Sequence, residues 1–198
     1  MAFHFFAMLS RLKFIQRWSL MRNTQIETLS DHTVQVAFIA HSLAIIGNKR
    51  LGKSYDENRV AVLALYHDVT EIMTGDMPTP IKYRNDTIKK AYKEVEKEAA
   101  NRLVSMLPED LSQHYRNILS PDPDSQETKE YYKLVKAADK ISALIKCLEE
   151  KRAGNSEFKT AEKENLKQLK MLGCEEAEIF IFEFLKSFSC NLDELIAV

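Results

Sequence analysis

Apolar residues recur at three- and four-residue intervals along nearly the whole chain, the period of a helix with one buried face. Phe5, Met8, Leu9, Leu12 and Ile15 predict a first helix over residues 3–15; residues 16–29 are less regular. Ser30 is the N-cap expected for a second helix, whose stripe of Val36, Ile39, Ala40 and Leu43 stops before Gly47. Asp56 is the expected cap of a third, running to Gly75. Pro78 and Pro80 follow and push Met77 and Thr79 towards extended backbone. Asp86 is placed to cap a long charged helix in which Ile88, Tyr92, Val95, Ala99, Leu103 and Met106 share a face, closed by Pro108. A short helix over 110–119 and a turn-rich loop over 120–125 precede a helix over 127–152. That helix sets Leu134, Val135, Ala138, Ile141, Ile145 and Leu148 towards a core. Helices near 158–172 and 175–188 complete the chain. No strand, repeat or low-complexity run interrupts the pattern, which predicts an all-α fold in one domain over residues 1–198.

Composition narrows the choice further. A chain of 198 residues with 45% hydrophobic and 29% charged positions can bury one sizeable core. The net charge of −1 gives no footprint for a polyanion, so polymeric nucleic acid is not expected as a partner. Three cysteines, Cys147, Cys174 and Cys190, without a C-x-x-C pair, fit a reducing compartment better than a disulfide framework. Phe3-His4-Phe5-Phe6-Ala7-Met8-Leu9 is followed by Arg11 and Lys13 where a leader would be cleaved, and it reads as the first helix. No apolar run reaches the ~20 residues of a membrane span. A cytoplasmic protein without a membrane partner is the expectation.

The polar exceptions to the apolar pattern carry the chemistry. His67 and Asp68 stand side by side in Val60-Ala61-Val62-Leu63-Ala64-Leu65-Tyr66-His67-Asp68-Val69-Thr70-Glu71-Ile72. Ionisable groups on a buried face cost free energy unless paired, hydrogen-bonded or bound to a metal. His32 shares the inward face of Val36 and Ile39, and Asp139 sits among Val135, Ala138 and Ser142 on the core side of its helix. Glu71, four residues after His67, belongs to the same helical face. Taken singly, a core histidine is usually hydrogen-bonded and a mid-helix aspartate usually solvated. Together, two imidazoles and two carboxylates from three helices form a ligand set for one divalent cation, with room for water. His4, His41 and His114 do not share these faces, so a mononuclear site is expected.

Further segments occur in a fixed order around this set: Arg17-Trp18, Ser30-Asp31-His32, His67-Asp68-Val69-Thr70-Glu71, Gly75-Asp76-Met77-Pro78-Thr79-Pro80 and Lys136-Ala137-Ala138-Asp139. In these the chain resembles the bacterial HD-domain 5′-deoxynucleotidases over essentially its whole length. Val69-Thr70 departs from the small Ala-Ser usual after the doublet. The resemblance implies an HD-domain helical bundle with its metal core over roughly residues 28–142, a homodimer, and hydrolysis of deoxyribonucleoside 5′-monophosphates. It also implies one divalent cation per subunit, with cobalt, manganese or copper supporting activity. His32, His67, Asp68 and Asp139 match the metal ligands and Glu71 the catalytic carboxylate. Arg17 matches the phosphate-orienting residue, which acts in catalysis and binding. Trp18 matches the sugar-facing residue, and His32 with Asp76, Met77, Pro78 and Thr79 the rest of the substrate site. Two other readings stay open at this point: an HD hydrolase of another nucleotide phosphoester, and a metal-binding interaction module without turnover.

Overall fold

The computed structural model describes residues 2–82 and 84–197, apart from the side chains of Thr79 and Pro80. Helix α1 (Phe5–Leu9) tightens into a 3-10 turn over Ser10–Phe14, so the expected continuous first helix is shorter and only Phe5 in it is fully buried. Residues 15–28 form a loop closed by an antiparallel bridge between Gln16 and Thr28, the nearest approach to a strand among the described residues. Helix α2 (Leu29–Arg50) follows. Its cap is Thr28 rather than Ser30. Thr28 accepts from the Asp31 N–H while the Asp31 carboxylate accepts from the Thr28 N–H, a reciprocal box that satisfies two end groups. The helix also runs through Gly47, because absence of a side chain there lets Tyr55 and Glu176 pack directly on the backbone. A Cβ at Gly47 would lie 2.5 Å from the Tyr55 ring.

Helices α3 (Glu57–Tyr66), α4 (Glu71–Thr74), α5 (Thr79–Lys82), α6 (Asp86–Val104) and α7 (Glu109–Leu119) come next. Asp56 caps α3 as expected, accepting from the Arg59 N–H at 2.9 Å. Asn85, not Asp86, caps α6. On α6 Tyr92, Ala99 and Leu103 are buried, but Val95 faces outward, as the charged helix meets its neighbours along a narrower stripe than its spacing suggests. Helix α8 (Gln126–Arg152) is capped by Ser125; α9 (Lys159–Leu172) and α10 (Glu175–Phe184) pack beside it. Helix α10 ends in a 3-10 turn rather than continuing to 188, and a short α11 (Leu192–Ile196), absent from the periodicity reading, closes the chain.

The core lies where α2 and α8 cross, flanked by α3, α9 and α10. Seven consecutive residues of α8, from Ile141 to Cys147, are buried, so this helix is enclosed on every side at its centre. Leu43, Ile141 and Ile145 are completely shielded, each contributing about 1.5–3 kcal/mol by burial. By length and composition α2 could cross a membrane, but over half of its apolar window is buried against the other helices, which accounts for its composition. A second cluster of Phe5, Val69, Leu103 and Leu107 joins α1 and α6 to the segment after α3. That segment carries the His-Asp doublet.

Candidate active site

Residues 57–75 were expected to form one helix with His67 and Glu71 on a common face. Instead α3 stops at Tyr66. His67 N–H bonds to Ala64 O, Val69 N–H to Tyr66 O and Glu71 N–H to Asp68 O, all three residues back, and α4 begins at Glu71. One cause is visible at Ala64: its carbonyl accepts from His67 Nδ1 at 2.7 Å and is diverted from the ordinary helical ladder. With about three residues per turn, Asp68 and Glu71 stand nearly above one another.

The same hydrogen bond fixes the imidazole. A carbonyl only accepts, so His67 Nδ1 carries the hydrogen and Nε2 presents a lone pair. His32, in the first turn of α2 and fully buried, is held similarly: Ser142 Oγ lies 3.0 Å from its Nδ1 and donates its own hydrogen to Gln35 Oε1 at 2.6 Å. The Ser142 oxygen is thereby left to accept from Nδ1, and His32 Nε2 also presents a lone pair. The two rings are 5.4 Å apart. Both Nε2 atoms are buried and lack hydrogen-bond partners. Around them stand carboxylate oxygens. Asp68 Oδ2 is 3.0 Å from His67 Nε2 and 3.7 Å from His32 Nε2, and Asp139 Oδ1 is 3.3 Å from His32 Nε2. One donor atom from each of His32, His67 and Asp68 falls within 4.8 Å of the others. Metal bonds of ~2.1 Å in tetrahedral array would set ligands ~3.4 Å apart. The donor set therefore fits a borderline divalent cation on chemistry, spacing and its two orphaned nitrogens. Asp139 lies against these three residues, one oxygen 3.3 Å from His32 Nε2 and the other 3.1 Å from Lys140 Nζ.

Electrostatics bind the cluster together. Burial disfavours the Asp139 charge, but Lys140, His32 and Arg17 outweigh it and hold the carboxyl well below its ordinary range. Burial likewise opposes ionisation of Asp68, yet His67 keeps it low; reciprocally, Asp68 and Asp139 overcome burial and lift His67 to about 9. Glu71 behaves in the opposite way. Burial, then the charges of Asp68 and Asp76, raise it to about 9, with Lys82 and Arg17 offsetting only part. Its Oε2 has no hydrogen-bond partner, and its Oε1 is 3.8 Å from Lys82 Nζ, which is itself held by Glu96 at 2.8 Å and lies over the Tyr92 ring.

Arg17 and Trp18 reach the cluster from the 15–28 loop. The Arg17 guanidinium is largely buried, with Nη1 3.7 Å from Asp68 Oδ2 and Nε 3.7 Å from Glu27 Oε2. Burial works against its charge, and Asp139, Glu27, Asp68 and Asp76 more than compensate. Trp18 donates its indole N–H to Glu27 Oε2 at 2.7 Å and meets Phe158 edge-on at 5.3 Å. The Asp76 carboxyl lies beside the backbone N–H of Trp18; burial raises its pKa and Arg17 partly opposes the rise. Met77 and Pro78 are half-buried in the connection after Gly75. Thr79 was expected to be extended but is the first residue of α5. Pro80 then falls in the first turn, where a missing N–H breaks no helical bond. The Thr79 side chain itself lies outside the described residues. The sequence pattern missed Glu27, Gln35 and Lys82. Gln35 and Ser142 stand three residues after His32 and Asp139, a spacing that could have suggested them; Glu27 lies in the irregular stretch, where no period assigns a face.

A helical bundle in which a histidine, a His-Asp doublet and a distant aspartate meet defines an HD-domain phosphohydrolase. The fold agrees: it superposes on an HD-domain phosphohydrolase of Listeria innocua with a TM-score of 0.80 at 24% identity, covering 97% of this chain and 92% of that one. It also superposes on the cyanophage S-2L HD phosphohydrolase bound to dA and one catalytic Zn2+ ion, with a TM-score of 0.63 at 17% identity over 91% and 96%. Residues 4–188 match the family model described as 5′-deoxynucleotidase YfbR-like. Curated 5′-deoxynucleotidases of Photorhabdus temperata and Pectobacterium atrosepticum are each 49% identical over 192 residues, 97% of this chain and 96% and 95% of theirs. The chain belongs to the YfbR-like 5′-deoxynucleotidase family. Its activity is that of a phosphoric monoester hydrolase acting on deoxyribonucleoside 5′-monophosphates.

Proposed function

We propose that His32, His67, Asp68 and Asp139 hold one divalent cation, and that Arg17, Trp18 and the Asp76–Thr79 segment seat the deoxynucleotide against it. The observation that carries this reading is the pair of buried, unpartnered Nε2 atoms facing two carboxylates, with the Arg17 fork beside them. When bound, such a cation neutralises phosphoryl charge and lowers the pKa of water towards neutrality. Arg17 presents a planar guanidinium to the phosphate oxygens, an orienting contact that a lysine ammonium does not reproduce. Substrate phosphate then takes over the counter-charge that Asp68 and Glu27 lend Arg17. Glu71, buried and three residues after Asp68, handles the proton that must pass between attacking water and departing 5′-oxygen. Asp76, beside the Trp18 backbone, keeps the phosphate and sugar portions of the site in register, with Met77 and Pro78 forming the adjoining wall.

Cobalt, manganese and copper are the ions proposed for the site. A homodimer is proposed as the working assembly, supported by the apolar groove that Val34 and Phe38 of α2 line with Phe180 and Phe188. A cytoplasmic location is supported by three free cysteines. The test is phosphate release from ribo- and deoxyribonucleoside mono-, di- and triphosphates with each ion and with a chelator. Deoxyribonucleoside 5′-monophosphates should be hydrolysed fastest, the chelator should silence the enzyme, and added cation should restore it. Preferential turnover of triphosphates, or full activity in chelator, would contradict the proposal.

A further inference from the structure

Residues 15–28 enter α2 as a short antiparallel pair. Leu29 N–H bonds to Ile15 O at 2.8 Å, and Arg17 N–H to Glu27 O at 3.0 Å. This pairing sets Glu27 directly across from Arg17 and Trp18. Trp18 is the only non-glycine residue at positive φ among the described residues, with φ of 57°. A bulky side chain adopts that left-handed backbone only where surrounding contacts hold it. Behind the residue, Trp18 O accepts from Met21 N–H at 2.9 Å and from Asn23 Nδ2 at 3.1 Å. In front, the polar anchor of the ring is Glu27. Its Oε2 takes the indole N–H at 2.7 Å and lies 3.7 Å from Arg17 Nε, while Oε1 lies 3.6 Å from His32 Nδ1. A single half-buried carboxylate thus touches the sugar-facing ring, the phosphate fork and a metal-ligating imidazole.

We propose that Glu27 is the positioning residue for sugar selection: it holds the Trp18 ring in place through the indole N–H, and discrimination between deoxyribose and ribose depends on that bond. This deepens the assignment of Trp18 as the sugar-facing residue and rests on it. An apolar wall rejects an added hydroxyl only when it stands at a fixed distance, and even then by about 10²-fold. A ring free to swing would yield to the 2′-hydroxyl. Phe158 touches the ring edge-on and the Arg17 guanidinium lies 5.9 Å from its centre, but neither supplies a hydrogen bond, so Glu27 is the contact that sets orientation.

Trp18 is the chain's single tryptophan, so intrinsic fluorescence reports on its ring independently of turnover. The experiment compares emission and acrylamide quenching for wild type, Glu27→Ala and Glu27→Gln, and the deoxy/ribo ratio of kcat/KM for these and for Trp18→Phe, which has no tryptophan emission, with metal content and helical circular dichroism measured on each. Glu27→Ala should red-shift the emission, increase quenching and narrow the ratio by about tenfold. Glu27→Gln, which retains an acceptor oxygen, should restore the emission and most of the ratio. Trp18→Phe keeps an aromatic wall but lacks the N–H, and should narrow the ratio as Glu27→Ala does even if the alanine variant folds poorly. Wild-type emission and ratio in Glu27→Ala, or a wild-type ratio in Trp18→Phe, would overturn the proposal. Trp18→Ala separates it from its premise: an unchanged ratio there removes the sugar-facing assignment, and a red-shifted Glu27→Ala emission would still show Glu27 positioning the ring.

Discussion

Asp68 bridges both histidines and the arginine of the site: it lies 3.0 Å from His67, and 3.7 Å from each of His32 and Arg17. Removing its carboxylate takes away one ligand and leaves the Arg17 charge poorly compensated. Asp68→Ala should therefore lose bound metal and turnover together, with the helical circular dichroism retained because Asp68 itself lies in the turn between α3 and α4 rather than within the α2–α8 core. Metal analysis and phosphate release on the same sample check this. Glu71 is a different case. It contacts Lys82 rather than the imidazoles, so Glu71→Ala should keep the metal while turnover falls about 10²–10⁴-fold, the usual contribution of a proton-transfer group. Loss of metal in that variant would make Glu71 part of the ligand set. Both residues were readable as candidates because an acid in an apolar run has no packing function. Glu27 was not, because its neighbours carry no period from which a direction could be read.

At the scale of elements, the spacing of apolar residues was reliable where a helix is enclosed and misleading where one is exposed. On α8, Leu134, Val135, Ala138, Ile141 and Ile145 are buried as their spacing requires. Val95 on α6 has the same spacing but is nearly half exposed, since the partners of α6 cover only part of its circumference. The helix expected to end at Gly47 continues because a tertiary neighbour, Tyr55, occupies the space where a side chain would be. Gly47→Ala should accordingly destabilise the protein by about 1–3 kcal/mol through overpacking, although alanine favours helix more than glycine does. Chemical denaturation of the variant measures the sign directly; stabilisation would mean that the Tyr55 ring moves aside without cost.

Across the whole molecule, the 15–28 loop that bears Arg17 and Trp18 is secured at its far side by Glu150 of α8. This buried carboxylate accepts from the backbone N–H of Thr24, from Thr24 Oγ1, from Lys146 Nζ and from Asn155 Nδ2. Burial opposes its charge, but Lys146, Thr24 and Asn155 outweigh that and lower its pKa from 4.5 to about 2. A carboxyl depressed on folding stabilises the native state above its unfolded pKa and ceases to do so as pH falls through the folded one. The stability difference between wild type and Glu150→Gln should be largest above about pH 5 and shrink between about pH 4.5 and 2. Thermal melts across that range test it, and a difference that does not change with pH would remove the carboxylate's charge as the cause.

The sequence by itself determined the all-α class, most helix positions and the four ligand-type residues, because periodic burial and misplaced ionisable groups are local properties of the chain. Its ordered motifs also carried the family. The tertiary structure decided what depends on partners distant in sequence. Ser142 and Gln35 orient His32, Phe5 and Leu103 pack beside Val69 at the doublet's turn, and Glu150 holds a loop more than a hundred residues away. Such contacts follow from where α2 and α8 cross, and no residue's spacing along one helix contains that information.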